Sequence, residues 1–414
     1  MGTAPSSVLV LLVAFLAALP VVAAVSSRLR LPYTVVLVVA GLAVSALPVR
    51  PQIDLDPAAL VTVLLPGLVF EAAFRLDGAE LRRTFPGVAL LAVPGVIVVA
   101  VVVAVILHAA AGLSLAQGFV VGAIVSATDP VAVVSTMRRL RAPGRLVTLV
   151  DAESLFNDGT AALVFAIALA AIGSGPPSLL DGAIRFVAGL LISGAIGAGC
   201  GWVVSRALRL TRDHMIELTL TLLAAYGTYL VAELAHQSGI IASVVAGVVV
   251  GTWGRHGALS RRGAEMVDAV WDSLAFILTG AAFLLIGIAI PVASLGASIV
   301  TIGWGVVAVL VGRALVVYGL LGGMTAVATR LRHTPRLPIA WLHVLNWTGL
   351  RGAVATALAL SIPADVPDRA LLQGAVFGIV LFTLLVQGTT AGWLVRRAGQ
   401  ATFASPDALA VEPE

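Results

Sequence analysis

Gly122-Ala-Ile-Val-Ser-Ala-Thr-Asp-Pro130 lies in the middle of an apolar segment, residues 114–137, that is long enough to cross a bilayer. Proline has no N–H and restricts the residue before it, so a helix through this segment must break near Asp129 and Pro130. Broken backbone at membrane depth is tolerated only where protein or a wet cavity satisfies the freed groups. In transporters such breaks present carbonyls to a cation, and half-helix ends that call for compensating charge. Asp129 stands where it can compensate the N-terminus of the second half-helix. The plainer reading is a proline kink with no further role.

The composition around this stretch is that of a membrane protein. Of 414 residues, 60% are apolar and 11% charged, against roughly 25% charged in a soluble domain. Mean hydropathy is +1.07. Hydropathy divides the chain into candidate helices at 6–24, 31–47, 57–74, 87–109, 114–137, 144–170, 181–205, 215–235, 239–253, 266–290, 297–321, 338–361 and 369–395. Several reach the roughly 20 residues a helix needs to cross the hydrocarbon. The fold class expected is therefore an all-α polytopic membrane protein with about 13 transmembrane helices.

All 25 basic residues are arginine, and they alternate between the two sides. Arg28 and Arg30 follow the first segment, Arg75, Arg82 and Arg83 the third, and Arg138, Arg139, Arg141 and Arg145 the fifth. Arg206, Arg209 and Arg212 follow the seventh, Arg255, Arg261 and Arg262 the ninth, Arg330, Arg332 and Arg336 the eleventh, and Arg396 and Arg397 the last. That puts 20 on one side against Arg50, Arg185 and Arg369 on the other, with Arg313 and Arg351 inside spans. By the positive-inside rule the N-terminus is outside and the C-terminus cytoplasmic. This placement accounts for the pI near 9.9 without nucleic acid. The lone Cys200 gives no disulfide framework. Nothing before Arg28 is charged except the terminal amine, so residues 1–26 lack the basic start of a cleaved signal. The 17 residues after Arg397 are too few for a folded cytosolic domain.

An ionised side chain at mid-bilayer costs at least about 2.5–3.5 kcal/mol, so each one calls for a reason. Glu71, Asp129, Asp151, Glu153, Asp158, Glu217, Glu233, Arg313 and Arg351 all fall in predicted spans, with Asp151 and Glu217 near their ends. The sixth segment reads Asp151-Ala-Glu-Ser-Leu-Phe-Asn-Asp-Gly-Thr160. On a helix Ser154 and Asp158 share one face, and Glu153 and Asn157 lie beside them. Carboxylate and hydroxyl oxygens suit a small hard cation, and no zinc spacing occurs among the histidines. The twelfth reads Asn346-Trp-Thr-Gly-Leu-Arg-Gly-Ala-Val-Ala355. Glycines beside a mid-span arginine weaken the helix and permit close packing. A guanidinium stays charged, so a carboxylate must lie near Arg351, and a structural ion pair is the expected role.

Thr-Asp-Pro in a broken fifth helix, Glu-Ser-x-x-Asn-Asp in the sixth and Gly-Leu-Arg-Gly in the twelfth resemble the sodium/proton exchanger branch of the cation:proton antiporters, including its bacterial NhaP type. Phe70-Glu-Ala-Ala73, Ser238-Gly-Ile-Ile-Ala-Ser-Val-Val-Ala-Gly247 and Phe283-Leu-Leu-Ile-Gly287 extend the likeness, in order, over about residues 60–395. The resemblance implies a homodimer in the bacterial inner membrane, with no cofactor beyond the transported Na+ (or Li+, with K+ the runner-up). It implies inverted repeats, helices 1–6 and 8–13, with broken helices 5 and 12 crossing. Residues 1–86 and 215–290 would form the dimerisation domain, 87–170 and 297–397 the moving core, 181–209 the linker helix and 398–414 a short cytoplasmic tail. Asp158 would bind cation and proton in turn, with Ser154, the Thr128 main chain and Glu71 completing the oxygen shell. Glu153 would pair with Arg351, Asp129 would compensate helix dipoles, and Asn157, in place of a second aspartate, is similar to the electroneutral branch. The chain departs from the pattern in Thr279-Gly-Ala-Ala before Phe283 and in lacking the long soluble tail.

Two other classes use similar parts. A cation channel would need a continuous pore instead of one proton-exchanging carboxylate. An intramembrane hydrolase would need a nucleophile beside its base, and neither Gly-x-Ser-Gly nor Gly-x-Gly-Asp occurs.

Overall fold

The computed structural model describes residues 7–29, 31–46, 57–174, 178–254, 258–290, 295–296, 298–332 and 337–402. Arg30, Arg50, Arg255, Arg336 and the tail beyond 402 lie outside the described residues. Every regular element among those described is helical. In order they are α1 (Ser7–Leu29), α2 (Tyr33–Ser45), α3 (Pro57–Phe74), α4 (Gly78–Ala92), α5 (Pro94–Ala111), α6 (Leu115–Ser126), α7 (Val131–Arg139), α8 (Gly144–Ser174) and α9 (Leu179–Leu208). There follow α10 (His214–Leu234), α11 (Gly239–Val249), α12 (Arg261–Ala289), α13 (Ile299–Ala314), α14 (Gly322–Arg332), α15 (Ile339–Trp347), α16 (Ala353–Leu360), α17 (Arg369–Phe382) and α18 (Gly388–Thr402). Wider π-helical turns continue α11 over Val250–Gly254, join α13 to α14 over Leu315–Leu321, and join α17 to α18 over Thr383–Gln387.

Each segment read from hydropathy contains helix, and among the described residues seven helical stretches are by themselves long and apolar enough to cross a membrane. The others are shorter or interrupted, and two of the interruptions carry the site. Apolar side chains point outward along the lipid-facing helices, as Leu180 (70% exposed) and Leu191 (66%) do on α9. With no hydrophobic drive between helices in lipid, small residues allow the close approach that packing requires. On α6, Gly118 and Gly122 lie against Ala104 and Ala100 of α5, where an added Cβ would sit 2.9 and 2.8 Å from the alanine Cα atoms. Gly41 of α2 and Gly287 of α12 cross in the same way, with a Cβ on either 2.8 Å from the other's Cα.

Two apolar clusters result. The smaller is built on Trp271, fully buried, which packs on Phe70 at 5.3 Å and donates its indole N–H to Thr221 Oγ1 at 3.0 Å. A Cβ on Gly247 would meet the Phe70 carbonyl oxygen at 2.8 Å, so the Phe70–Ala73 and Ser238–Gly247 stretches serve the packing of α3 on α11. The larger cluster gathers residues of α2, α5, α6, α8, α13 and α15–α18 around the two interrupted helices.

Candidate cation site

A capping box starts α6: the Gln117 N–H donates to Ser114 Oγ at 3.2 Å and the Ser114 N–H to Gln117 Oε1 at 3.0 Å. The helix stops at Ser126, because Ala127 is extended (φ −61°, ψ 135°), and α7 resumes only after Pro130. The α15–α16 segment breaks likewise between Trp347 and Ala353. The two breaks cross and are stitched by the Asp129 N–H, which donates to the Leu350 carbonyl oxygen at 2.7 Å.

Charge is distributed over the four half-helix ends. The Asp129 carboxylate accepts from the Val131 N–H at 3.2 Å and from the Ala353 N–H, so one anion caps the N-termini of both α7 and α16. Gly352 makes room for it, since a Cβ there would lie 2.5 Å from Asp129 Cβ. Arg351, 1% exposed, donates from Nε to the Val125 carbonyl oxygen at 2.8 Å and from Nη1 to the Gly349 carbonyl. It thus serves the C-terminal end of α6 and the stretch just beyond α15. Anions at N-termini and cations at C-termini are the favourable arrangement for helix dipoles.

The expected pairing of Glu153 with Arg351 is not the one formed. Glu153 on α8 is bound by Arg313 of α13: Nη2 donates to Oε2 at 2.8 Å and Nη1 to Oε1. The same guanidinium donates to the Leu345 carbonyl oxygen from Nη2 at 2.8 Å and from Nε at 3.2 Å, so it caps α15 as Arg351 caps α6. Gly349 is placed for this cation, since a Cβ there would be 3.0 Å from Arg313 Nε. A fork of parallel N–H donors matches a carboxylate bidentately, and Arg313 presents one here. Its signal in the sequence was only that a second arginine stood in a span.

Beside the crossing, α8 clamps Thr128. The Thr128 N–H donates to Asn157 Oδ1 at 3.2 Å, Asn157 Nδ2 donates to Thr128 Oγ1 at 2.8 Å, and Ser154 Oγ donates to the Thr128 carbonyl. One turn beyond Ser154, Asp158 has its Oδ1 buried with no hydrogen-bond partner among the described residues. Asp129 lies close enough for its charge to act on Asp158. No hydrogen bond or ion pair joins Glu71 to this group among the described residues; Arg75 pairs with Glu71 and reaches Asp272 Oδ1 on α12 at 2.6 Å. A group of side-chain and main-chain oxygens that includes one unpartnered, buried carboxylate oxygen can hold a small monovalent cation or a proton.

The family described as sodium/hydrogen exchanger, transmembrane, matches residues 11–397. The Na(+)/H(+) antiporter ApNhaP of Aphanothece halophytica is 35% identical over 377 residues, 89% of this chain and 70% of that one. The Na(+)/H(+) antiporter NhaP of Pseudomonas aeruginosa is 34% identical over 351 residues, 82% of each chain. Among solved structures, the sodium proton antiporter MjNhaP1 from Methanocaldococcus jannaschii at pH 8 matches with a TM-score of 0.74 and 20% identity, over 94% of this chain and 98% of that one.

Proposed function

The chain belongs to the sodium/hydrogen exchanger family, and from that premise we propose that it is a secondary antiporter of the bacterial cell membrane, exchanging one Na+ (or Li+) for one proton. K+ is the runner-up cation. The observation that carries the reading is the unpartnered Oδ1 of Asp158, one helical turn from Ser154, whose hydroxyl donates to the Thr128 carbonyl. These three residues are the proposed cation ligands. Asp158 holds a cation or a proton, never both, and the core moves only when it is occupied, so exchange is obligatory.

Charge counting supports the stoichiometry. Arg313 neutralises Glu153, and Arg351 and Asp129 compensate opposite ends of the crossed half-helices. Asp158 alone is left, and one cation or one proton balances it. Asn157 cannot titrate; its amide is spent on Thr128. In this reading helices from 1–86 and 215–290 form a static dimerisation domain, those from 87–170 and 297–397 form the moving core, and 181–209 links them. The membrane holds a homodimer with the arginine-rich loops in the cytoplasm, and exchange serves pH homeostasis.

The test is Asp158→Asn in sealed proteoliposomes, with each alkali cation in turn. The amide cannot trade a proton for a cation, so the variant should fold, dimerise and exchange nothing. Sodium-driven proton movement near the unmodified rate would remove Asp158 from the mechanism.

A further inference from the structure

Two charged groups unused by this mechanism stand on α3 and α8, which are in contact. On α8, Asp151, Ser154 and Asp158 stand at i, i+3 and i+7, so they form one stripe along the helix. A rise of 1.5 Å per residue puts Asp151 about 10 Å from Asp158, toward the end that carries Arg138, Arg139, Arg141 and Arg145. Asp151 keeps 20% of its side chain exposed and, among the described residues, pairs at 3.1 Å with Arg138 Nη2, itself 54% exposed. Across the gap on α3, Glu71 keeps 15% exposure and is covered by Arg75. The charge of Asp151 reaches Glu71. Asp151 therefore stands on α8 between the arginine-rich end and the unpartnered oxygen, and it carries a tethered guanidinium that Asp158 lacks.

We propose that Asp151 is the access carboxylate for the cation on the arginine-rich, cytoplasmic side, and that Arg138 is a tethered cation competing with the transported ion for it. The proposal rests on the antiport reading and its orientation above. Arg138 suits this part because it is long, largely solvated and held at one point. A solvated pair of this kind is worth little and opens readily. An arriving cation takes its place at Asp151 and passes one helical stripe inward to Asp158. Arg75, held by both Glu71 and Asp272 on the opposite wall, is the more rigid partner and stays in place.

The test compares everted membrane vesicles, which present the cytoplasmic face, with right-side-out vesicles, using sodium as the probe. Arg138→Gln should lower the apparent KM for sodium several-fold at the cytoplasmic face and leave it unchanged at the outer face. Asp151→Asn should raise the cytoplasmic KM several-fold with little change in kcat, and Asp151→Glu should restore it. Equal shifts at both faces would mark a general field effect and overturn the access role, as would no shift in either variant. A merely structural role would lower kcat and yield at both faces, which also overturns it. Should the unsubstituted protein exchange no cation, the antiport reading fails instead; exchange with unaltered KM in both variants removes only this inference.

Discussion

Arg313 and Glu153, 160 residues apart in sequence, meet through both terminal guanidinium nitrogens and both carboxylate oxygens. Both residues are buried, at 5% and 2% exposure. Removing one partner leaves the other charged and uncompensated, at about 3–5 kcal/mol. Glu153→Ala and Arg313→Ala should each lower thermal stability sharply in detergent, and the double variant should lose less than the sum. Additive losses in that cycle would mean that the two side chains do not interact.

Arg351 should behave differently. Its listeners are the carbonyls of Val125 and Gly349, with no carboxylate hydrogen-bonded to it among the described residues. Arg351→Ala should destabilise the crossing, yet its coupling to Glu153→Ala should be clearly smaller than the coupling of Arg313→Ala to the same change. A larger coupling for Arg351 would reverse this assignment.

The two glycines of Gly349-Leu-Arg-Gly352 should not be equally sensitive. A methyl group on Gly352 collides with the Asp129 side chain, which is tied to the N-termini of two half-helices and cannot easily withdraw. At Gly349 it meets Arg313 Nε at 3.0 Å, a contact that a small shift relieves. Gly352→Ala should cost about 1–3 kcal/mol, the usual range for overpacking, and abolish exchange. Gly349→Ala should be the milder of the two. Melting temperature and exchange rate, measured side by side, decide the order.

With a single titrating carboxylate, as proposed, transport should be indifferent to membrane voltage. A valinomycin-clamped potential across sealed proteoliposomes should drive no net sodium movement. Sodium driven by voltage would require a second proton carrier, and the one-carboxylate mechanism would then be abandoned.

In the proposed mechanism proton and cation also compete for the same oxygens of Asp158. A higher cation concentration needs a higher proton concentration to displace it, so the acidic limb of the rate profile should move to lower pH as sodium is raised. Rate profiles at several fixed sodium concentrations measure the shift. An acidic limb that stays in place would mean that proton and cation occupy different groups.

Much of this protein can be read along the chain. Apolar run lengths mark it as helical and membrane-bound, because the cost of exposing backbone polar groups to lipid is local and each span must meet it alone. Pro130 marks a break for an equally local reason, its missing N–H. Asp129, Glu153, Asp158, Arg313 and Arg351 stand out because a charge in lipid is conspicuous wherever its partner lies. Partner choice is another matter. Two arginines and several acids occur in the predicted spans, and helical periodicity says which residues share a face, not which helices meet. The reach of Arg313 from α13 to α8 and to the end of α15 gives Glu153 to Arg313, and the crossing of the two breaks turns Arg351 toward carbonyls. The glycines beside Arg351 read as local weakness in the helix, whereas in the fold they are clearances for Arg313 and Asp129, both distant in sequence. Burial and breaks are properties of a segment; pairing is a property of the space between segments, and only the assembled helices define that space.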